Sequence, residues 1–135
     1  MLSRIHKHIA NNVDFAVETT LATKTYRSFI EKSKELGYTV DLIYFWLHSP
    51  ELALKRIAER VKHGGHNVDE TTVRRRYVMG IRNLFELYCP IVDHFIIIDN
   101  SVIPREVVAE GNSKTIKIYN EEKLNQIRQY DNSKS

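Results

Sequence analysis

Apolar residues along the chain fall into short continuous runs and into longer helical repeats. The continuous runs predict buried strands at residues 15–17, 39–47 and 95–98, because a strand that is covered on both faces shows no regular polar alternation. We expect these three strands to be mutually parallel. Two shorter stretches, at residues 107–109 and 115–119, predict a late hairpin at an edge of the sheet.

Helical repeats lie between these runs, and polar residues mark where the helices begin. The repeat over residues 2–9 predicts a short amphipathic helix. Thr23 is expected to cap a second helix that ends at Gly37, since glycine commonly follows a helix end. Ser49 and Pro50 predict the cap and the first residue of a third helix.

A fourth helix is expected to begin at Asp69 or Thr71 and to run to about Tyr88. A last helix is expected over residues 121–130, and residues 131–135 are expected to fray. Helices and strands therefore alternate, which predicts an α/β fold with a mostly parallel sheet. A length of 135 residues fits one domain, which we expect to run over residues 1–135.

Composition narrows the function classes. The net charge of +3 is modest, and the basic residues cluster around one turn without interleaved aromatic residues, so a nucleic-acid-binding module is disfavoured. The one cysteine, Cys89, excludes an internal disulfide framework. No apolar run reaches membrane-spanning length and the start has no signal-peptide pattern, so we expect a cytoplasmic protein without a membrane partner.

The basic cluster is the most informative part of the chain. It surrounds the pair Gly64-Gly65 and consists of Arg60, His66, Arg74, Arg75 and Arg76. Guanidinium groups bind phosphate oxygens in bidentate pairs, so the cluster predicts a phosphate site. The alternative is a solvated basic helix face. Successive residues of a helix point about 100° apart, so the three consecutive arginines cannot all face one ligand, and one is expected to pair with Glu70 or another acid.

Polar residues also follow the predicted strands, where open α/β sheets bind ligands. Glu18, Thr19 and Thr20 follow the first strand, and Glu18 either accepts hydrogen bonds from a substrate or caps a helix. Lys24 is expected in the first turn of the second helix. The helix dipole disfavours a cation there, so Lys24 indicates an anionic ligand.

A second polar cluster, Asp99, Asn100 and Ser101, follows the last strong strand. Such triplets are common turns. In nucleotide-binding sheets, a polar loop in this place also borders the base. Both interpretations stay open on the sequence.

Taken together, the motifs resemble the zeta toxin family, and within it the stand-alone zeta-like P-loop kinases of bacteria. They occur in order between about Ile5 and Ser101. The motifs are Phe15-Ala16-Val17-Glu18-Thr19-Thr20-Leu21, Gly37-Tyr38, Ser49-Pro50-Glu51-Leu52-Ala53, Arg60-Val61, Gly64-Gly65-His66-Asn67-Val68, Arg74-Arg75-Arg76-Tyr77, Asn83-Leu84 and Asp99-Asn100-Ser101.

The resemblance implies a three-layer P-loop-kinase-like fold and an ATP-dependent kinase that uses ATP and Mg²⁺, with a sugar nucleotide as a candidate phosphoryl acceptor. The expected residue roles come from the motifs and from this resemblance together. Substrate binding is expected at Glu18, Thr19, Thr20 and Lys24. Phosphate or nucleotide binding is expected at Arg60, His66, Arg74, Arg75, Arg76, Asp99 and Asn100. Arg60 is also the expected catalytic residue, because it matches a phosphate-stabilising arginine. No residue of the chain is assigned as a metal ligand.

One departure from the family is large. The chain contains no Gly-rich loop that ends in Gly-Lys-Ser or Gly-Lys-Thr, and the aspartate that the family proposes as its base is also absent. We therefore expect the C-terminal portion of a zeta-like kinase, without its first strand and P-loop, and inactive alone. Its exposed sheet edge is expected to favour self-association. The alternative is a non-catalytic remnant or anion-binding module.

Overall fold

A computed structural model describes residues 21–130 of the chain. The elements in chain order are α1 (Tyr26–Glu35), β1 (Asp41–Trp46), α2 (Pro50–Lys62), α3 (Glu70–Asn83), a π-helical segment (Leu84–Tyr88), β2 (His94–Asp99), β3 (Glu106–Gly111), β4 (Ile116–Ile118) and α4 (Glu121–Arg128). The helix predicted over residues 2–9, the strand at 15–17 and the fraying end at 131–135 lie outside the described residues.

The four strands form one sheet in the order β1-β2-β3-β4. β1 and β2 are parallel, with a register that runs from Asp41 opposite His94 to Trp46 opposite Asp99. Helices α2 and α3 make the crossover between them. The parallel pairing predicted for these two strands is therefore confirmed, and so is the late hairpin, since β3 and β4 are antiparallel neighbours.

The prediction of a mostly parallel sheet is wrong for residues 21–130, because β3 pairs antiparallel with both β2 and β4. The connection explains this correction. Only residues 100–105 join β2 to β3, and a parallel partner needs a crossover of roughly a dozen residues or more. The fold class is α/β, with a mixed sheet.

The ends of α1 show one confirmed and one wrong prediction. The helix begins at Tyr26, and Thr25 rather than Thr23 stands at its cap position. The Thr23 hydroxyl instead accepts the backbone N–H of Thr25 at 3.2 Å, a local turn that precedes the helix. Gly37 follows the helix end with φ of +92°. The N–H of Gly37 bonds to Lys34 and that of Tyr38 to Ser33, which closes the helix as a Schellman motif.

The caps of α2 and α3 match the predictions. The Ser49 hydroxyl accepts the N–H of Leu52, and the Asp69 carboxylate accepts the N–H of Thr72. The predicted fourth helix is α-helical only to Asn83 and then continues as a π-helical segment to Tyr88. The predicted last helix ends at Arg128 rather than at residue 130.

The core lies on one face of the sheet. Leu42 and Tyr44 from β1 and Phe95 and Ile97 from β2 belong to it or pack against it. Helical residues complete the core, and among them are Ile81, Leu84, Leu124 and Ile127. Ile43 and Phe45 point to the opposite face and are 55% and 48% exposed. None of the helices within residues 21–130 is long and apolar enough to cross a membrane.

Candidate functional site

A groove of about 830 Å³ runs along β1 and is bounded by residues of α1, α2 and α3. Most of its lining is apolar or aromatic, including Tyr44 and Tyr77. Two guanidinium groups, those of Arg60 and Arg76, join this lining from different helices. We call this space the β1 groove.

The end of α2 is fixed next to Arg60 by the Gly-Gly pair. Gly64 has φ of +92° and donates its N–H to Val61, while Gly65 donates to the Arg60 carbonyl at 2.8 Å. A Cβ atom at Gly65 would lie 3.0 Å from that carbonyl oxygen. Both glycines therefore serve a Schellman helix end. They are explained by backbone geometry, without any ligand.

Arg76 is positioned by α3, which is attached to the carboxyl end of β1. The Tyr77 hydroxyl donates to the Leu47 carbonyl at 2.6 Å. Within residues 21–130, neither Arg60 nor Arg76 forms an ion pair with an acid. The lining also contains one acid, Asp41, which takes part in no ion pair within residues 21–130. The β1 groove thus carries two guanidinium groups that are not paired with an acid of the described residues.

The other members of the basic cluster do not line this groove. Arg74 forms ion pairs with Glu51 at 3.3 Å and with Glu70 at 3.6 Å, so one of the three arginines does pair with acids. Glu51 accepts a hydrogen bond within its own residue and another from Arg74, and both lower its pKa. Arg75 and His66 are exposed, and neither lines the β1 groove.

The residues predicted to bind substrate are placed only in part. Glu18, Thr19 and Thr20 lie outside the described residues. Lys24 is exposed and precedes α1, which begins at Tyr26. The prediction that Lys24 lies in the first turn of the helix is therefore wrong, and the helix dipole does not indicate an anionic ligand at this residue.

The polar cluster at the end of β2 is held by internal bonds. Asp99 is 1% exposed, and its carboxylate accepts Lys123 Nζ at 2.7 Å and the N–H of Ser101 at 2.7 Å. Burial by itself would raise the pKa of Asp99, but the hydrogen bonds from Lys123 and Ser101 bring it below its usual value. Asn100 accepts Arg105 Nε at 2.7 Å. These contacts match the turn interpretation of the cluster.

The same cluster joins the carboxyl ends of the two parallel strands. The Ser101 hydroxyl accepts the N–H of His48, which follows β1, and the N–H of Asn100 bonds to the Trp46 carbonyl. Lys123 was not predicted as a partner of Asp99, because no local pattern joins a carboxylate at a strand end to a lysine 24 positions later on the last helix. Tyr77 packs against the core and also lines the β1 groove.

Comparison with known proteins agrees with the motifs. A family model described as zeta toxin matches residues 2–124. The chain belongs to the zeta toxin family. A protein of Haemophilus influenzae, described as uncharacterized, is 36% identical to it over 72 residues, which are 53% of this chain and 51% of that relative. The chain thus matches about half the length of that curated relative. No solved structure matches it.

Membership in the zeta toxin family raises the question of a metal. Residues 21–130 contain no group of three or more His, Cys, Asp or Glu side chains placed to hold an ion. The carboxylate of Asp99, at the carboxyl end of β2, is already bonded to Lys123. The described residues therefore do not fit a Mg²⁺ ion held by protein ligands alone.

Proposed function

We propose that this chain is the acceptor- and phosphate-binding portion of a zeta-toxin-type kinase, with the β1 groove as its anion-binding site. The observation that carries the proposal is the presence of Arg60 and Arg76 in one groove, without an acid paired to either among residues 21–130. Guanidinium groups that are not paired with acids and come from two different helices can donate hydrogen bonds to the same phosphate chain. The three-layer P-loop-kinase-like architecture is part of this proposal.

ATP is the phosphoryl donor that family membership supports, with Mg²⁺ as its usual companion. Its phosphates match the β1 groove in charge. The sequence has no Gly-rich phosphate loop, and such a loop supplies the amides, the lysine and the metal-binding hydroxyl of P-loop enzymes. We therefore propose binding of a polyphosphate ligand by this chain and no phosphoryl transfer by it alone.

The aromatic lining of the groove supports a ligand that also has a ring. Tyr44 and Tyr77 line the groove together with the two arginines, and aromatic faces bind planar bases and sugar rings. A sugar nucleotide combines a ring system with a diphosphate. It is therefore our proposed acceptor class.

Calorimetric titration of the purified chain with ATP and with a uridine diphosphate sugar tests the binding. We expect measurable binding of both, weakened at least fivefold by Arg60→Ala and by Arg76→Ala. Arg27→Ala is the matched control, because it removes the same charge from an exposed ion pair with Glu31 on α1. Equal weakening by all three variants would reject the groove as the site.

A phosphate-transfer assay with the same two ligands and Mg²⁺ tests the second half of the proposal. We expect no transfer above background. Transfer that disappears in Arg60→Ala would show that the chain needs no Gly-rich loop and would overturn this part.

The second candidate function is a non-catalytic anion-binding module. The ion pair at the end of β2 favours this module, because Asp99 is bonded to Lys123 and is not a free carboxylate that could serve as a catalytic base. Binding of inorganic triphosphate as tightly as ATP, with no contribution from the base or sugar, would favour this module over the kinase portion.

A further inference from the structure

In the part of the chain that the structure describes, the face of the sheet opposite the core carries a partly exposed apolar strip. It consists of Ile43 and Phe45 on β1 and of Ile96 and Ile98 on β2, which stand opposite each other in the parallel register. Ile43 and Phe45 are 55% and 48% exposed, and none of the four belongs to the core or packs against it. Parallel strands are normally covered on both faces, and an exposed apolar surface of this kind marks a contact site.

The two ends of the apolar strip carry opposite charges. Asp41 lies on the same face as Ile43 and Phe45, at the amino end of β1, because strand side chains alternate. At the other end, the Arg105 guanidinium lies 5.3 Å from the centre of the Phe45 ring. Four residues of strand place the two ends about 13 Å apart.

Neither charge has an opposite partner within the described part of the chain. Asp41 takes part in none of its ion pairs, and Arg105 bonds to the neutral amide of Asn100. An apolar strip with one acidic and one basic end is complementary to itself when it is turned end to end. A two-fold axis across the strands places Asp41 of each copy over Arg105 of the other.

We propose that a second copy of this chain covers the apolar strip, face to face, with Asp41 and Arg105 forming two symmetric ion pairs around a central contact of Ile43 and Phe45. Face-to-face sheet packing buries apolar side chains on both sheets. The interface differs from edge-to-edge pairing, because it uses side chains of one sheet face. Asp41, Ile43 and Phe45 also line the β1 groove, so the second copy covers part of that lining. Dimerisation does not require an anion in the groove.

Sedimentation equilibrium over a range of protein concentrations tests the proposal by charge reversal. We expect the natural chain to dimerise and each single reversal, Asp41→Arg or Arg105→Asp, to weaken the dimer at least tenfold, because two like-charged contacts replace two ion pairs. The double variant restores both pairs with exchanged signs and should recover most of the affinity. Glu59→Lys is the control: it reverses an exposed charge on α2 that does not belong to the strip.

A circular-dichroism melting curve of every variant checks the fold. Ile43→Ser supplies a second, uncharged probe, since it removes an exposed apolar group and should weaken dimerisation without unfolding the core. The proposal is overturned by a natural chain that stays monomeric at all concentrations. A dimer insensitive to the reversals also overturns it, because the interface would then be elsewhere, for instance at the edge of β1. Failure of the double variant to recover affinity has the same consequence.

Discussion

Gly65 donates its backbone N–H to the carbonyl oxygen of Arg60 over 2.8 Å, and the two residues are packed so closely that a Cβ at position 65 would lie 3.0 Å from that oxygen. The close contact fixes the last turn of α2, from which the Arg60 side chain enters the β1 groove. The sequence motif Gly64-Gly65 therefore shapes the groove indirectly, through the backbone of the arginine.

The Gly65→Ala variant should lower both stability and affinity for ATP. The added methyl group pushes the Arg60 backbone away. This should lower the free energy of unfolding by about 1 kcal/mol, which is at the low end for overpacking. Urea denaturation measures the change. Gly37→Ala is the matched control, because Gly37 has φ of +92° at another helix end and open space around it. It should destabilise by about 1–2 kcal/mol through backbone strain without changing affinity. Unchanged ATP affinity in Gly65→Ala would contradict the positioning role.

The sequence predicted local features well where a single residue decides the geometry. Ser49 and Asp69 are helix caps as expected, and Gly37 ends α1. The apolar runs also identified β1 and β2 and their parallel pairing. The direction of β3 was not predicted, although the short connection over residues 100–105 already excludes a crossover to a parallel neighbour.

The candidate site was predictable only as a set of residue types. Which arginine faces the groove depends on how α3 packs against β1, and the bond from Tyr77 to Leu47 decides that rotation. The sequence could assign a partner acid to one arginine but could not choose Arg74 over Arg75 or Arg76. Likewise, the ion pair between Asp99 and Lys123 joins residues that are 24 positions apart, and no local pattern specifies such a pair.

The ion pair between Lys123 and Asp99 should make stability depend on pH in both directions. The pKa of Asp99 is lowered on folding, so its contribution is present above its unfolded pKa of about 3.9 and is lost as pH falls through the lower folded value. The pKa of Lys123 is raised, chiefly by its hydrogen bond to Asp99. Its contribution is present below about pH 10.4 and is lost as pH rises through the folded pKa.

Lys123→Met should therefore destabilise the fold, because Asp99 stays buried without its cation. We expect a loss of about 2–3 kcal/mol at neutral pH, somewhat less than for a fully buried pair. Chemical denaturation between pH 3 and 8 measures this. The difference between the natural chain and the variant should shrink toward pH 3, as Asp99 becomes neutral. A difference that stays constant over this range would mean that Lys123 acts through packing and not through charge.

Asn83 should be important for the position of Leu21 at the β1 groove. Its side-chain amide is buried and donates to the Leu21 carbonyl at 2.7 Å, and Leu21 lines the groove. Asn83→Ala leaves that carbonyl without this donor and should cost about 1–3 kcal/mol, measured by urea denaturation. Asn125→Ala, on the exposed side of α4, is the control and should change stability by less than about 0.5 kcal/mol. Similar losses in both variants would argue against a special role of the buried amide.

Arg60 and Arg76 should bind one ligand together, which a double-mutant cycle can measure. If both guanidinium groups contact the same phosphate chain, removing one alters how the ligand sits against the other, so their effects on ATP affinity will not add. We expect a coupling energy of about 0.5–1 kcal/mol between Arg60→Ala and Arg76→Ala, from calorimetric titration of the four chains at constant ionic strength. The same cycle between Arg60→Ala and Arg27→Ala should show additivity within about 0.3 kcal/mol, since Arg27 lies outside the groove lining. Additive effects for Arg60 and Arg76 would mean that the two arginines attract the ligand independently, by long-range charge alone, and that the β1 groove is not a formed phosphate site.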